Sequence, residues 1–310
     1  MTASPSHFAA RRTDATRTGT LPALVRMTRP TQLALVALVY LNGALLATWR
    51  VGAVAIDTHA LGLALVLLAA VAAHLANEAA DHETDRLSRR TRYSGGSGAL
   101  EASGLRPRVP LSIALVTSAL VVVATALATV EGRLTSIAAA VLLLGLVGSL
   151  SYSLPPLAFM RRGLGEPLNA LLGGLLLPLF GVAIVAGAIG VLDFLAFLPF
   201  LFIVLASVMA TAWPDREADA ATGKRTLQVR LPAAKLRRIH AGASVAFVVA
   251  IVASAWFDAM PLALAGLLVL PAVVLGVARY TRGRSPSPNV AAMVGLALVT
   301  TTVLALAVSA

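Results

Sequence analysis

The residues best suited to chemistry in this chain stand in the stretch Asn77–Asp85, NEAADHETD, where Asn77, Asp81 and Asp85 recur at every fourth position. On a helix that spacing stacks three oxygen-bearing side chains along one face. The stretch begins inside the end of an apolar run, His59 to Ala80, where two carboxylates are costly unless a cation neutralises them or water reaches them. A solvated helix end is the ordinary explanation, and a second stretch argues against it. DREAD, Asp215–Asp219, repeats the four-residue carboxylate spacing at the end of another apolar run and is followed by Gly223-Lys224-Arg225. Carboxylates at two helix ends, each beside Arg or Lys, suit binding of a polyphosphate through a divalent metal. Mg²⁺ asks for hard oxygen ligands, keeps waters, and joins one or two carboxylates to substrate phosphates. Lysine or arginine then neutralises the oxygens that the metal leaves exposed.

The elements that must position these groups are membrane helices. The chain is 58% hydrophobic and 13% charged, with a mean hydropathy of +0.85, against about 25% charged residues in an ordinary soluble domain. The expected class is therefore an all-α polytopic membrane protein. Apolar runs of spanning length fall at 31–49, 60–80, 109–130, 134–154, 167–190, 192–213, 240–257, 260–278 and 289–309, nine in all. Residues 1–25 read as a flexible cytosolic tail and 26–310 as a single transmembrane domain. The polar N-terminus lacks the apolar core of a cleaved signal, although its composition also suits an organellar transit peptide. There is no cysteine, so disulfides, thiolate metal ligands and cysteine nucleophiles are excluded.

Charge orients the spans. With the N-terminus inside, all of the 25 Lys and Arg residues except Arg50 and Arg133 fall on the cytosolic side, as the positive-inside rule requires. Arg11, Arg12, Arg17 and Arg284 are among the residues counted in this way, and Asp258 lies in the short link between spans 7 and 8. The C-terminus is then outside, and both acidic stretches open to the cytosol, after spans 2 and 6. A prokaryotic plasma membrane is the expected location. The formal net charge of +11 needs no nucleic-acid partner, since cytosolic loops against anionic headgroups account for it.

Other features share that mouth. Arg92-Tyr93-Ser94-Gly95-Gly96-Ser97-Gly98 is a flexible stretch whose backbone N–H groups could approach phosphates, or an ordinary Gly/Ser turn. Span 4 ends in Ser151-Tyr152-Ser153-Leu154-Pro155-Pro156, where Tyr152 either points into the bundle or anchors the interface. Arg161-Arg162-Gly163-Leu164-Gly165-Glu166 follows. Pro178, Pro199 and Pro271 lie inside expected spans and predict kinks. Asn42, His74 and Asn169 are isolated polar groups, and His74 is expected to hydrogen-bond within the bundle one turn before Asn77. A diphosphate head in water and a hydrocarbon tail in the bundle describe a polyprenyl diphosphate. Metals would hold its head and stabilise the departing diphosphate, while a dry cavity keeps water from the allylic carbocation.

These residues resemble the UbiA superfamily of intramembrane prenyltransferases. Its N-x-x-x-D-x-x-x-D motif is matched by Asn77, Asp81 and Asp85, and its D-x-x-x-D motif by Asp215 and Asp219. DREADAATGKRTL is similar to the extended second motif, and Thr28-Arg29-Pro30 resembles the approach to the first span. The resemblance, running from Arg26 to Arg284, implies nine helices around a central cavity. It also implies Mg²⁺ held by Asp81, Asp85, Asp215 and Asp219 with Asn77 as a neutral ligand or orienter. Lys224, Arg92 and Arg225 would grip the diphosphate and Tyr152 would favour cationic character at the reacting carbon; apart from the resemblance, Glu166 is a candidate for orienting the acceptor near that carbon. Tyr-Ser-Leu-Pro-Pro before Arg161-Arg162 departs from the 4-hydroxybenzoate branch. Gly163-Leu164-Gly165-Glu166 resembles the naphthoate branch, with homogentisate and chlorophyllide-like acceptors as neighbours. The first motif lacks that branch's Asn-Asp-Tyr context. Two other classes remain open: a transporter whose acids bind a cation, which predicts mid-membrane ionisable groups and inverted repeats, and a non-catalytic prenyl-lipid-binding protein.

Overall fold

The computed structural model describes residues 18–52, 55–256, 260–283 and 285–309. Arg11, Arg12, Arg17, Asp258, Arg284 and most of the expected tail lie outside the described residues. Among the described residues the regular structure is helical throughout. It runs α1 (Thr20–Met27), α2 (Pro30–Val51), α3 (Ile56–Leu87), α4 (Ala99–Ser103), α5 (Arg108–Val130) and α6 (Ser136–Ser153). A 3₁₀ turn, Phe159–Arg161, leads to α7 (Gly165–Leu171), which passes through a π-helical turn, Leu172–Leu176, into α8 (Leu177–Ala186). There follow α9 (Val191–Ala212), α10 (Arg216–Ala221), α11 (Leu227–Arg230), α12 (Ala233–Trp256), α13 (Met260–Arg279) and α14 (Ser287–Ser309).

Eight helical stretches are long and apolar enough to cross a membrane, with α1 and α2 counted as one and α7 and α8 as another; Ala263–Arg279 is a shorter apolar helix at the expected eighth span. The surface pattern is that of a chain solvated by hydrocarbon. On α5, Leu115, Val116, Leu120, Val123 and Leu127 face outward while Ser118 and Thr125 are buried. The two buried hydroxyls donate to the carbonyls of Ala114 and Val121, both at 2.7 Å, so no polar group on that face is left unpaired.

Three differences from the sequence reading bear on the site. The helix expected to end near Ala80 continues to Leu87, since no breaker interrupts the helix-compatible Glu and Asp residues. The whole first acidic stretch therefore rides on one continuous helix. Residues 20–25, expected in the tail, belong to α1, because Ala23 and Met27 bury against Leu75, Ala76 and Ala99. Pro178 sits at the start of α8 immediately after the π-helical turn, which absorbs its missing N–H in wider backbone geometry. Pro199 and Pro271 lie within α9 and α13.

The helices pack as two groups that share α2 and α8. Tyr40, Phe180, Val121 and Leu142 join α2, α3, α5, α6 and α8 on one side. Phe197, Phe200, Phe247 and Leu296 join α9, α12 and α14 on the other. The seam between α2 and α8 is unusually close, since a Cβ on Gly43 would collide with the Pro178 carbonyl and one on Gly181 with the Tyr40 carbonyl. Small residues let helix backbones approach in this way. At the end of the bundle away from the acidic stretches, Arg50 of α2 pairs with Asp193 of α9 at 2.6 Å. The Asp193 side chain also accepts from the Gly190 N–H at 2.7 Å, which caps α9.

Because the Cβ of Gly43→Ala meets backbone, the seam must open, and the variant should lose about 2 kcal/mol or more of stability. Its thermal midpoint in detergent should fall, whereas Gly145→Ala, which meets nothing within 4 Å, should leave the midpoint unchanged or raise it. Equal midpoints for the two variants would remove the close seam as a determinant of the fold.

Candidate active site

The end of α3 supplies the first half of the site. Its helical continuity brings Asn77 and Asp81 together, and the Asn77 amide donates to Asp81 Oδ2 at 3.0 Å. The same amide nitrogen reaches Ser153 Oγ of α6 at 3.3 Å. Asn77 Oδ1 in turn accepts from the Arg29 guanidinium at 3.1 Å, so Asn77 is an orienting link between Arg29 and Asp81. Arg29 opens α2 with a left-handed backbone, φ 54°, a conformation that a non-glycine residue holds only where its surroundings demand it. One turn earlier on α3, His74 Nδ1 lies 2.7 Å from the Thr28 carbonyl, the expected hydrogen bond within the bundle.

The second half follows α9. Asp215 precedes α10, and the Asp219 N–H donates to the Asp215 carbonyl at 2.9 Å, so the four-residue spacing is helical here too. Gly223, with φ +74°, then reverses the chain. That reversal turns Lys224 inward, where it is 6% exposed, with Nζ 2.6 Å from Asp81 Oδ1 and 3.5 Å from Asp219 Oδ1. Thr226 adds a hydroxyl 3.4 Å from Asp219 Oδ2. Between the helices, Thr84 Oγ1 and Thr222 Oγ1 lie 3.0 Å apart. The two acidic stretches, 130 and more residues apart in the chain, thus form one cluster joined through a buried lysine.

The electrostatics on the second half are those of acids short of cation. Burial and the neighbouring Asp219 push the Asp215 carboxyl up to about 6, against the opposing pull of Ser88, the Gly95 backbone and Lys224. Burial also raises Asp219, chiefly against Lys224, with Asp81 adding to the rise. Asp215 Oδ1 is buried without a hydrogen-bond partner. Among the described residues no three acidic or imidazole side chains converge closely enough to hold an ion by themselves. The donor set is all hard oxygen and arranged in ones and twos. It fits a divalent cation that completes its shell with water and phosphate oxygens, and it does not form a preformed cage.

The remaining expected residues divide. Tyr152 is half-buried at the end of α6, within electrostatic reach of Asp81, Glu166 and Asp219. Glu166 is 3% exposed and accepts from the Leu227 N–H at 3.1 Å, which ties α7 to the start of α11. Its other oxygen has no partner. Arg92 and Arg225 are exposed; the Arg92 guanidinium lies 5.7 Å from the Tyr93 ring, and the Arg225 N–H donates to the Arg161 carbonyl at 3.0 Å. Neither side chain is hydrogen-bonded to the aspartates.

Sequence reasoning passed over Glu78, which is 2% exposed and pairs with Arg29 at 3.2 Å. The signal was there: a carboxylate beside Asn77, off the four-residue register, in an otherwise apolar helix. Ser153 and Thr226 were also missed as partners of Asn77 and Asp219, since short hydroxyl side chains carry no pattern.

A model of the UbiA prenyltransferase family matches residues 34–299, a span that contains both acidic stretches, Lys224 and Tyr152. The chain belongs to the UbiA prenyltransferase family. Membership makes it an enzyme of prenyl transfer, and the UbiA assignment agrees with the solved structures it resembles. A UbiA homolog from Archaeoglobus fulgidus, solved bound to DMAPP and Mg²⁺, is 16% identical, with a TM-score of 0.68 over 92% of this chain and 99% of its own. The apo UbiA homolog from Aeropyrum pernix K1 is 18% identical, with a TM-score of 0.68 over 88% and 96%. A structure from a study of digeranylgeranylglyceryl phosphate synthase is 14% identical, with a TM-score of 0.63 over 93% and 97%. No curated protein matches the chain in sequence. At these identities the structures carry the fold, and the family match carries the reaction class.

The geometry separates two roles for Glu166. If its carboxylate serves to hold α11, Glu166→Ala should lower the thermal midpoint through loss of a charge-assisted hydrogen bond, about 1–3 kcal/mol. Glu166→Gln keeps an acceptor for the Leu227 N–H and should lose less. A Gln variant as unstable as the Ala variant would show that the contact contributes little.

Proposed function

We propose that this chain transfers a polyprenyl group from its diphosphate to an aromatic or other lipophilic acceptor, with Mg²⁺ as cofactor and release of diphosphate. The observation that carries the reading is the bridge Asp81–Lys224–Asp219, which draws both acidic stretches to one point at the end of an apolar bundle. Mg²⁺ would be held by Asp81, Asp85, Asp215 and Asp219. It supplies Lewis-acid stabilisation of the charge gathering on the departing diphosphate.

The chain's own residues do the rest. Asn77, set between Arg29 and Asp81, orients the Asp81 carboxylate. Lys224 lies against the carboxylate oxygens of Asp81 and Asp219 and would neutralise a diphosphate brought to them. Tyr152 stands within electrostatic reach of Asp81 and Asp219, where its ring would suit a carbon that gains positive charge as its C–O bond breaks. The acceptor's nucleophilic atom closes the new bond and gives up its proton. The bundle keeps water from competing for the allylic carbon. Lipid surrounds the protein, and the concentration of Arg and Lys on the links at the acidic end supports a cytosolic mouth in a prokaryotic plasma membrane. Gly163-Leu164-Gly165-Glu166 favours a 1,4-dihydroxy-2-naphthoate-like acceptor and a place in quinone or related isoprenoid-lipid synthesis.

Membranes carrying the protein, given labelled prenyl diphosphate, Mg²⁺ and candidate acceptors, should yield a labelled lipid identifiable by mass spectrometry. Asp81→Asn and Asp215→Asn should each lower the rate by at least about a hundredfold, and retained turnover in both would refute the metal assignment. Lys224→Ala should raise the donor KM by about tenfold, as expected for one charge-assisted contact. Because Lys224 competes with a cation for Asp81 and Asp219, the same variant should need no more Mg²⁺ for half-saturation. A higher Mg²⁺ requirement would place Lys224 among the groups that support the metal.

The raised Asp215 carboxyl fixes the sign of the pH dependence. Below about pH 6 it holds a proton that Mg²⁺ must displace. Calorimetric Mg²⁺ affinity of the protein without diphosphate, whose own protons titrate in this range, should fall by up to about tenfold per pH unit below 6. An affinity flat from pH 5 to 7 would exclude Asp215 from the coordination.

A further inference from the structure

Glu78 is a buried acid of this region that neither the metal assignment nor the bridge to Lys224 uses. It lies on α3 between Asn77 and Asp81, and its carboxylate is turned toward α2 and the link that follows α3. Three donors meet it: Arg29 Nη2 at 3.2 Å, the Ser97 hydroxyl in a short contact, and the Ser97 N–H at 3.4 Å. Ser97 is held from other sides as well. Its Oγ accepts from the Ala99 N–H at 3.0 Å, and its carbonyl accepts from Arg26 of α1 at 3.4 Å.

The residues just before Ser97 touch both acidic stretches. Gly95 brings its backbone beside Asp215. Gly96 lies so close against Asp85 that a Cβ there would collide with the carboxylate. Gly95, Gly96 and Gly98 all have φ in the left-handed range, +82°, +65° and +68°, which explains why the segment is built of glycine. A short glycine-rich stretch therefore crosses one acid from each half of the site, and its side-chain anchor on α3 is Glu78.

We propose that Glu78 is a positioning residue: its buried carboxylate, clasped by Arg29 and Ser97, pins residues 94–98 as a strap across Asp85 and Asp215. The strap sets where the backbone N–H groups of Gly95 and Gly96 stand relative to those two carboxylates, and so shapes the space left for a metal-bound diphosphate. The role in ligand binding rests on the reading that Asp85 and Asp215 hold that ligand, whereas the pinning of the strap does not.

The chain lacks cysteine, so Ser94→Cys introduces a single reporter thiol on the strap. In that background, Glu78→Gln and Ser97→Ala should each raise the rate of maleimide modification in membranes by about tenfold. The double variant should raise it no further, because both substitutions break the same clasp. Ser97→Thr, which keeps the hydroxyl, should remain protected. Without the reporter, calorimetry with inorganic diphosphate and Mg²⁺ should show affinity about tenfold weaker in Glu78→Gln and Ser97→Ala and restored in Ser97→Thr.

Unchanged modification rates in both variants overturn the clasp. Faster modification with unaltered diphosphate affinity overturns the positioning role. If Glu78→Gln does not fold, Ser97→Ala against Ser97→Thr decides the same question. A protein that protects the thiol as described but binds no diphosphate, and yields no prenylated product, refutes the functional reading and the positioning role while leaving the clasp intact.

Discussion

The contact on which the site depends is the placement of one lysine between acids from two distant parts of the chain. Asp219 is buried and Asp81 half-buried at the end of an apolar bundle, and bringing such carboxylates together without a counter-charge is costly. Lys224 meets both, at 2.6 and 3.5 Å. Several local features exist to deliver it there. Gly223 reverses the chain, Thr226 holds Asp219, and the Leu227 N–H at the start of α11 docks on Glu166. Removing one partner of such a buried pair leaves an uncompensated charge, so these features form one coupled unit whose parts cannot be exchanged independently.

The second constraint is the hydrocarbon around the helices. It turns the usual pattern outward, with leucine and valine on the surface of α5 and hydroxyls inside, each returned to a carbonyl of its own helix. It also removes hydrophobic attraction between helices as a packing force, which leaves close backbone contact such as that of Gly43 with Pro178 to hold the seam. Charge is then confined to the ends. At one end a single pair, Arg50 and Asp193, ties α2 to α9. At the other, Arg29, Glu78, Asp81, Lys224 and Asp219 are interlinked, and the glycine segment of residues 95–98 lies over them. The asymmetry between the ends is the structural reason to look for chemistry at one of them.

Much of this was legible in the sequence. A four-residue spacing of Asn77, Asp81 and Asp85 states a helical face whatever the tertiary fold, and the amide of Asn77 does meet Asp81. The same holds for Asp215 and Asp219. The distribution of arginine and lysine separated two ends of the bundle, and the structure gathers both acidic stretches at one of them. Less legible was everything that depends on residues distant in the chain. Glu78 draws its partners from Arg29 and Ser97, 49 and 19 positions away, and no periodicity announces such a clasp. Lys224 was read as a grip on substrate, yet the turn at Gly223 first commits it to joining two aspartates. Arg92, expected beside it, stays in solvent because the glycines that follow bend the backbone, and not that side chain, toward the acids.

These two kinds of residue have different physical tasks, and the difference explains the resting state of the site. Lys224 alone between Asp81 and Asp219, with Asp215 close by, leaves the second half of the cluster short of positive charge, in line with the upward shift of the Asp215 and Asp219 carboxyls. A cluster of that kind attracts a hydrated divalent cation, while the lysine keeps the acids from repelling one another apart in its absence. Were a cation to bind there with a diphosphate, as proposed, the Lys224 ammonium would have a second set of anionic oxygens to pair with and would no longer serve both aspartates alone. The exchange moves charge between partners without exposing any of them to hydrocarbon. For that exchange to be specific, the acids must not drift as their partners change, and fixed anchors that carry no substrate contact of their own supply the restraint: Asn77 on Arg29, Glu166 on α11, and Glu78 on the strap.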